Sequence, residues 1–211
     1  MSSFLTEALR SPLGVATIAP SGRALSRAIS ATVPSGGDPV VVELGPGSGP
    51  VTEVIQRRLH GRGRHIAIEL SPRFAEPLAD RFPSVEVICD DAAKIAVLLA
   101  ERGISAADIV VSTLPWVAHG SSGTDVIDGV VAALAPDGAF TQVALTALRW
   151  APPARRLRRS LETHFDEVVV GRSVWSNIPP ALVYYCRRPV VPGRPAADAA
   201  RHDHYDENAP R

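Results

Sequence analysis

Three glycines at alternate positions follow an acidic side chain at the end of an apolar run. The stretch reads VVELGPGSG over residues 41–49, with Glu43 ahead of Gly45, Gly47 and Gly49. Glycine lets a backbone turn tightly and approach a ligand closely. In an open α/β sheet such a turn lies at the carboxyl end of a strand, where ligands bind. The stretch therefore predicts a ligand-binding turn, with a plain strand-to-helix turn as the alternative.

The spacing and the acid indicate which kind of ligand the turn would hold. The pattern is G-x-G-x-G followed by Pro50, and not the G-x-G-x-x-G of dinucleotide-binding turns. A dinucleotide turn places a pyrophosphate at a helix N-terminus, and the Glu43 carboxylate would repel it. A ligand that carries an amino group and a sulfonium would instead be attracted.

Strands and helices alternate behind this turn, and they are what must position it. Predicted strands cover 39–44, 64–69, 85–89, 107–113, 138–145, 166–173 and 181–187, and predicted helices cover 50–60, 72–81, 92–102, 123–135 and 153–163. Apolar strands in repeated strand–helix units are typical of a parallel sheet with helices on both faces. The last two strands have no helix between them, which predicts an antiparallel terminal hairpin. The fold class is therefore α/β, a Rossmann-like sheet of seven mostly parallel strands.

Residues 39–188 resemble the class I S-adenosylmethionine-dependent methyltransferases, whose first motif is an acid followed by this glycine turn. The resemblance implies that Glu43 and the turn hold the methionine end of S-adenosylmethionine. It implies that Glu69, followed by Leu70 at the end of the second strand, accepts both ribose hydroxyls, since a carboxylate can take two such bonds.

The third strand is followed by a pair that matches the family's adenine-binding position. In Asp91-Ala92, the resemblance assigns the adenine amino group to the aspartate and a ring nitrogen to the next backbone N–H. Asp90 stands where the family often has glycine, so either acid is a candidate for this contact. Asp91 is alternatively a helix N-cap.

The fourth strand ends in STLPW, at the edge that would face the methyl group. This resembles the Asn/Asp/Ser-x-x-Pro-aromatic theme of enzymes that methylate amino groups, and it makes Ser112, Leu114, Pro115 and Trp116 the candidate catalytic residues. Pro115 favours an extended Leu114, so that nearby carbonyls point at a substrate N–H, and Trp116 offers its ring to an amine becoming cationic. Core packing is the alternative for Trp116. Serine, in place of the Asn or Asp of base-methylating relatives, argues against a nucleobase substrate.

Two further stretches, residues 4–29 and NIPPALVY at 177–184, resemble the bacterial phospholipid N-methyltransferases, which methylate phosphatidylethanolamine. The resemblance implies an N-methyltransferase acting on an aminolipid or a related amine. The alternatives are a secondary-metabolite methyltransferase, an RNA adenine methyltransferase and a protein that binds the cofactor without turnover. Tyr184, Tyr185 and Trp175 are candidates for an acceptor pocket, although a terminal hairpin should place at least one of them in the core.

The ends of the chain differ in composition from its centre. Residues 1–36 predict an N-terminal helical segment, with an amphipathic helix over 2–11 and a second helix over 19–30 capped by Ser21. The first helix serves either as a lid or as a membrane contact. Residues 37–189 predict the methyltransferase domain, and the Pro-, Ala- and charge-rich residues 190–211 predict a disordered tail.

The charge and composition of the chain indicate which classes of binding partner to expect. The 211 residues carry no formal net charge, which argues against a nucleic-acid partner. Four arginines on the helix at 153–163 would either bind lipid phosphates or be solvated; they are Arg155, Arg156, Arg158 and Arg159. Cys89 and Cys186 predict neither a metal site nor a disulfide. We expect a cytoplasmic protein, with a peripheral position on the inner membrane face if the lipid contacts form.

Overall fold

The computed structural model describes residues 21–115 and 122–190, with the backbone alone for 122–125. In chain order the strands are β1 (Val40–Leu44), β2 (Arg64–Glu69), β3 (Glu86–Cys89), β4 (Ala107–Ser112), β5 (Leu134–Leu145), β6 (Phe165–Val170) and β7 (Ala181–Pro189). The helices are α1 (Arg23–Ile29), α2 (Pro50–Leu59), α3 (Pro72–Arg81), α4 (Ile95–Ala100), α5 (Ser122–Ala133) and α6 (Pro152–His164), with 3₁₀ turns at Ala92–Lys94 and Thr146–Leu148.

The described residues form one seven-stranded sheet in the order β3-β2-β1-β4-β5-β7-β6. The pairs among β1 to β5 are parallel, and β7 runs antiparallel between β5 and β6. The predicted fold class, including the antiparallel terminal hairpin, is confirmed. Cys89 in β3 and Cys186 in β7 lie on well-separated strands, and both are free thiols.

Both faces of the sheet are covered because its inner strands alternate apolar side chains toward each side. One face packs against α1 and α2 through residues such as Ile29, Val41 and Ile55. The opposite face packs against α4, α5 and α6 through residues such as Val42, Ile95 and Leu161. Proline occupies the first position of α2, α3 and α6, where its missing N–H costs nothing.

Three local predictions differ from the structure. The N-cap of α1 is Gly22 rather than Ser21, with no side-chain cap; the Gly22 N–H donates to Oδ1 of Asn177 at 2.8 Å, and this tertiary bond fixes the start of the helix one residue later. The helix predicted over 92–102 is a 3₁₀ turn followed by the short α4. β5 begins at Leu134, before the predicted strand start, and its register against β4 shifts ahead of Ala139.

Several predictions fall outside the described residues: the helix over 2–11, the side chain of Trp116 and the tail beyond Val190. Within the described ranges, no helix combines the length and the apolar character that crossing a bilayer requires. The residues of α1 form part of the core, since Leu25 and Ile29 are buried against the sheet. The boundary between residues 36 and 37 stays a prediction.

Candidate active site

The ends of four parallel strands bring the predicted motifs to one edge of the sheet. Leu44 at the end of β1 lies opposite both Ile68 in β2 and Ser112 in β4, and Glu69 lies opposite Cys89 at the end of β3. The glycine turn, Glu69, the Asp90–Asp91 pair and the STLP segment follow these positions directly. The structure therefore places at one edge the motifs that the sequence separates by nearly seventy residues.

The glycine turn is closed on two sides and open on the third. All three glycines have positive φ, with values of 71° at Gly45, 55° at Gly47 and 84° at Gly49, a region that other residues rarely adopt. An added Cβ would lie 2.7 Å from Leu114 at Gly45 and 2.7 Å from Leu78 at Gly49, whereas nothing lies within 4 Å at Gly47. The chain itself packs against the outer glycines, and Gly47 faces the space a ligand needs.

Glu69 ties the second strand to this turn. Its side chain is buried, and Oε2 accepts the Gly47 N–H at 3.0 Å while Oε1 accepts the Ser71 N–H at 2.9 Å. Each carboxylate oxygen retains a further lone pair. The carboxylate is therefore held rigidly beside the open face of the turn, with acceptor capacity left for hydroxyl groups. Leu70 beside it is 41% exposed.

Glu43 lies inside the protein, on the face of the sheet that packs against α2. It is fully buried, and Oε2 accepts the Thr52 hydroxyl at 2.7 Å and lies 3.3 Å from Nε2 of His65. Oε1 has no hydrogen-bond partner among the described residues. Contact between Glu43 and a ligand stays a prediction; the contacts that the structure shows fasten the end of β1 to α2 and β2.

A chain of hydrogen bonds sets which nitrogen of His65 carries its proton. The Ser84 hydroxyl donates to Oε1 of Gln56 at 2.8 Å, so the Gln56 amide nitrogen is the group that faces Nδ1 of His65, at 2.9 Å. Nδ1 therefore accepts, which leaves Nε2 as the protonated nitrogen of a neutral ring; Nε2 lies 3.3 Å from Oε2 of Glu43 without the geometry of a hydrogen bond.

The two acids after β3 have different partners. Oδ1 of Asp90 accepts the Lys94 ammonium at 2.7 Å and the Asp91 N–H at 2.7 Å, and the hydrogen bond from Lys94 holds the pKa of Asp90 below its ordinary value. Oδ1 of Asp91 caps the 3₁₀ turn by accepting the Ala93 N–H at 2.9 Å. Asp91 is thus an N-cap, which does not exclude a second bond from its carboxylate. Ala92 is buried beside it.

The end of β4 is fastened to both of its neighbours. The Thr113 hydroxyl donates to the Gly45 carbonyl at 2.5 Å and the Thr113 N–H donates to the Leu44 carbonyl at 3.0 Å. On the other side, Nε2 of Gln142 donates to the Leu114 carbonyl at 3.0 Å. Ser112 is fully buried, and its hydroxyl oxygen lies 3.4 Å from the Leu114 N–H as its acceptor. The backbone that leads into Pro115 is therefore held in place by strand neighbours.

Comparison with known proteins shows the family of the chain. No family model matches the chain. The chain is 36% identical over 188 residues to an ornithine lipid N-methyltransferase of Singulisphaera acidiphila. The matched region covers 87% of this chain and 94% of the relative. The chain belongs to the class I S-adenosylmethionine-dependent methyltransferases.

Solved structures of other methyltransferases share the fold. The N-methyltransferase NodS of Bradyrhizobium japonicum, with S-adenosyl-L-homocysteine bound, matches with a TM-score of 0.59 and 18% identity over 80% of this chain and 86% of that chain. A SAM-dependent O-methyltransferase of Thermotoga maritima matches with a TM-score of 0.60 and 17% identity over 79% of this chain. This methyltransferase spans 65% of that second structure, slightly less than two thirds.

The described residues of the methyltransferase fit S-adenosylmethionine, the cofactor of this family. The open space at Gly47 admits a ligand to the backbone of the turn. The buried Glu69 carboxylate keeps acceptor capacity beside it, and Oε1 of Glu43 is a buried oxygen without a partner in the described part of the chain. An anionic, partly unsatisfied set of acceptors suits a ligand that carries hydroxyls and positive charge.

The three aromatic residues predicted for an acceptor pocket lie in different environments. Tyr184 is buried in the core, and the Tyr185 hydroxyl donates to the Ala28 carbonyl of α1 at 2.9 Å. Trp175 is 72% exposed. It lines a cavity of about 300 Å³ with Thr146, Ala147, Arg149, Trp150 and Pro180.

The sequence interpretation missed Thr52, His65 and Gln142, which hold the site from behind. A signal was present for two of them, because His65 and Gln142 are polar residues inside otherwise apolar strands, where a buried polar group needs a partner. Thr52 carries no such signal, because threonine is common in the first turn of a helix. Its bond to Glu43 joins a helix to a strand, and the sequence alone does not show that the two side chains meet.

Proposed function

We propose that this methyltransferase transfers the methyl group of S-adenosylmethionine to the amine of a membrane lipid, with an ornithine-containing lipid as the first candidate and phosphatidylethanolamine as the second. The observation that carries the proposal is the 36% identity to an ornithine lipid N-methyltransferase along almost the whole length of that relative. The NIPPALVY stretch supports the same class of acceptor, since it resembles the phospholipid N-methyltransferases.

The cofactor half of the site would hold and orient S-adenosylmethionine. When bound, S-adenosylmethionine supplies a methyl group activated by a sulfonium. Glu69 accepts its ribose hydroxyls, Asp91 with the Ala92 N–H binds adenine, and the turn at Gly45, Gly47 and Gly49 contacts the methionine end. Glu43 contributes negative potential behind that end, where Oε1 has no partner among described atoms.

The acceptor half aligns the nitrogen. The main chain from Ser112 to Pro115 follows β4 at the cofactor edge, and the Leu114 carbonyl is oriented by Gln142. Carbonyl groups that accept the N–H bonds of a neutral amine direct its lone pair toward the methyl carbon, and such alignment supplies much of the rate of a transfer whose activated group is already present. Trp116 lies outside the described residues; its ring stabilises the positive charge that develops on the nitrogen.

The test is methyl transfer from radiolabelled S-adenosylmethionine to separate acceptors. The acceptors are ornithine lipid, phosphatidylethanolamine, free ornithine, free ethanolamine and an unmodified RNA, all presented in the same detergent. We expect label in one or both lipids and none in the water-soluble amines. Label in a free amine or in RNA, with none in either lipid, would contradict the proposal.

A matched pair of variants shows that the label comes from this site. Glu69→Gln removes the carboxylate beside the turn, whereas Glu76→Gln changes an exposed acid of α3. We expect transfer to fall sharply with the first and to match the wild type with the second.

A further inference from the structure

Three large apolar side chains project into solvent from neighbouring loops at the acceptor edge. Trp150, Trp175 and Ile178 are 72%, 72% and 84% exposed, more than any other large apolar side chain that the structure describes. Trp150 follows β5, and the other two lie in the connection between β6 and β7. We call these three residues the tryptophan ridge. Trp150 and Trp175 line one cavity, and large apolar side chains left in water together at one edge of the fold indicate a partner.

Hydrogen bonds fix the backbone of the two loops that carry the ridge, so the exposure of its side chains follows from the fold. Thr146 and Pro180 bridge its two loops through an N–H to carbonyl bond of 2.9 Å. Asn177, buried next to Ile178, accepts the Gly22 N–H and donates to the Pro179 carbonyl at 2.7 Å. Ile178 therefore lies in a loop whose backbone is fixed by hydrogen bonds on either side of it.

The two chain segments that carry the ridge are rich in arginine, of which Arg158 pairs with Glu162 at 2.7 Å. Residues 146–160 and 171–180 contain six arginines and no acid, although the whole chain has no net charge. Arg149 lies over the Trp150 ring at 5.1 Å from its centre, and the arginines at 155, 156 and 172 are exposed. Tryptophan and isoleucine beside exposed arginines match a bilayer surface, where rings enter the interface and cations meet anionic headgroups.

The ridge lies on the acceptor side of the site. Gln142 of β5 lies opposite Ser112 of β4, and the strand continues to Leu145 before the ridge begins. Three strand residues span about 10 Å. A bilayer surface at the ridge would therefore present lipid headgroups roughly one headgroup length beyond the carboxyl edge, in line with the STLP segment.

We propose that the tryptophan ridge and its surrounding arginines form the surface by which this methyltransferase docks on an anionic lipid bilayer. This inference rests on the proposed lipid substrate, and it assigns the ridge the task of bringing the site to the headgroups. The Trp150 and Trp175 rings enter the interface beside the cavity that they line, while the arginines pair with lipid phosphates.

Binding to vesicles tests the docking surface without any methyl transfer. The full chain is sedimented with phosphatidylcholine vesicles that contain or lack phosphatidylglycerol, at low and at high salt. We expect binding to the anionic vesicles, weakening with salt, and at least a tenfold loss of affinity in the Trp150→Ser/Trp175→Ser double variant. Val97→Ser, at an apolar side chain of α4 that is 59% exposed, should bind as the wild type does.

Two further measurements keep the outcomes distinct. Calorimetric binding of S-adenosylhomocysteine by the double variant, expected within twofold of the wild type, shows that it is folded. Gel filtration detects self-association. No vesicle binding by the wild type, equal binding by the double variant, or a dimer that the double variant dissolves would each overturn the docking surface. Absence of lipid methylation with ridge-dependent vesicle binding would overturn the proposed substrate and leave the surface standing.

Discussion

The side-chain amide of Gln142 donates a 3.0 Å hydrogen bond to the main-chain carbonyl of Leu114 across the β4–β5 boundary. Gln142 is fully buried, and the same nitrogen also donates to the Val143 carbonyl at 2.7 Å. One side chain therefore sets the direction of the backbone segment that is proposed to align the acceptor amine. Since Gln142 is not proposed to touch the substrate, we regard it as a positioning residue.

Replacing Gln142 with methionine removes the donor and keeps the side-chain volume. We expect kcat for methyl transfer to fall about 10- to 100-fold, because a small misplacement of aligning groups has effects of that size. Binding of S-adenosylhomocysteine should stay within about twofold, since the proposed cofactor contacts follow β1 to β3. Steady-state kinetics and calorimetry measure the two effects.

The other glutamine of the chain provides the control. Gln56→Met breaks the hydrogen bond to His65, far from Leu114, and should preserve kcat better than Gln142→Met does. Equal losses of kcat in the two variants would show that Gln142 acts only through stability.

Glu69→Gln tests the ribose-binding carboxylate. The substitution replaces one acceptor oxygen by an NH₂ group facing the Gly47 or Ser71 N–H, and it removes the charge. A hydrogen bond to a charged group contributes about 1.5–3 kcal/mol, so we expect the Kd for S-adenosylhomocysteine to rise roughly 10- to 100-fold. Unchanged affinity would show that Glu69 serves only to tie the turn to β2.

Asp91 has an observed role as an N-cap and a proposed role in adenine binding, which substitution can separate. Asp91→Ala removes the N-cap and should cost about 1 kcal/mol of unfolding free energy as well as cofactor affinity. Asp91→Ser restores a capping oxygen and should recover the stability without recovering the affinity. Denaturant unfolding and calorimetry together distinguish the two losses.

Asp90→Asn is the matched control for adenine binding. It weakens an exposed ion pair with Lys94, and exposed pairs contribute little. If affinity falls with Asp90→Asn and stays constant with Asp91→Ser, the adenine contact belongs to Asp90.

Stability should decrease in alkaline solution because of buried neutral groups in β7. Burial raises the pKa of the Cys186 thiol from 9.0 to about 12, and it also raises the pKa of Tyr184 and of Tyr185. A folded-state pKa above the unfolded one gives stability that is complete below the unfolded pKa and is lost as the pH rises toward the folded pKa. For Cys186 that window runs from about pH 9 to about pH 12.

The size of the alkaline effect follows from the ionisation of the unfolded chain. At pH 10 the Cys186 thiol alone should lower the free energy of unfolding by about 1.4 kcal/mol. In urea unfolding, the free energy of unfolding of Cys186→Ala should fall less between pH 8 and pH 10 than that of the wild type. This comparison of slopes holds whatever the stability of the variant at pH 8. Cys89→Ala, at the exposed cysteine, should keep the wild-type slope, and the same flattening there would contradict the assignment.

The fold was predictable from the sequence because its signals are local. Apolar strands, the prolines that start α2, α3 and α6, and the glycine turn each act within a few residues, and parallel strands covered on both faces leave few arrangements. The position of Glu69 and Asp91 at one edge of the sheet was predictable for the same reason, since Glu69 ends β2, Asp91 lies two residues beyond β3, and the ends of parallel strands share one edge; their contacts with the cofactor stay predictions.

The sequence by itself determined the sheet, the cofactor edge and the class of chemistry. Only the tertiary structure decided that Glu43 faces inward to Thr52 and His65, that Gln142 contacts the Leu114 carbonyl, and that Trp150 and Trp175 line one cavity. These relationships join residues 9 to 28 positions apart in the sequence, in elements whose packing brings them together. A buried polar group must find a partner wherever the fold supplies one, and that partner is set by the three-dimensional arrangement rather than by neighbours in the chain.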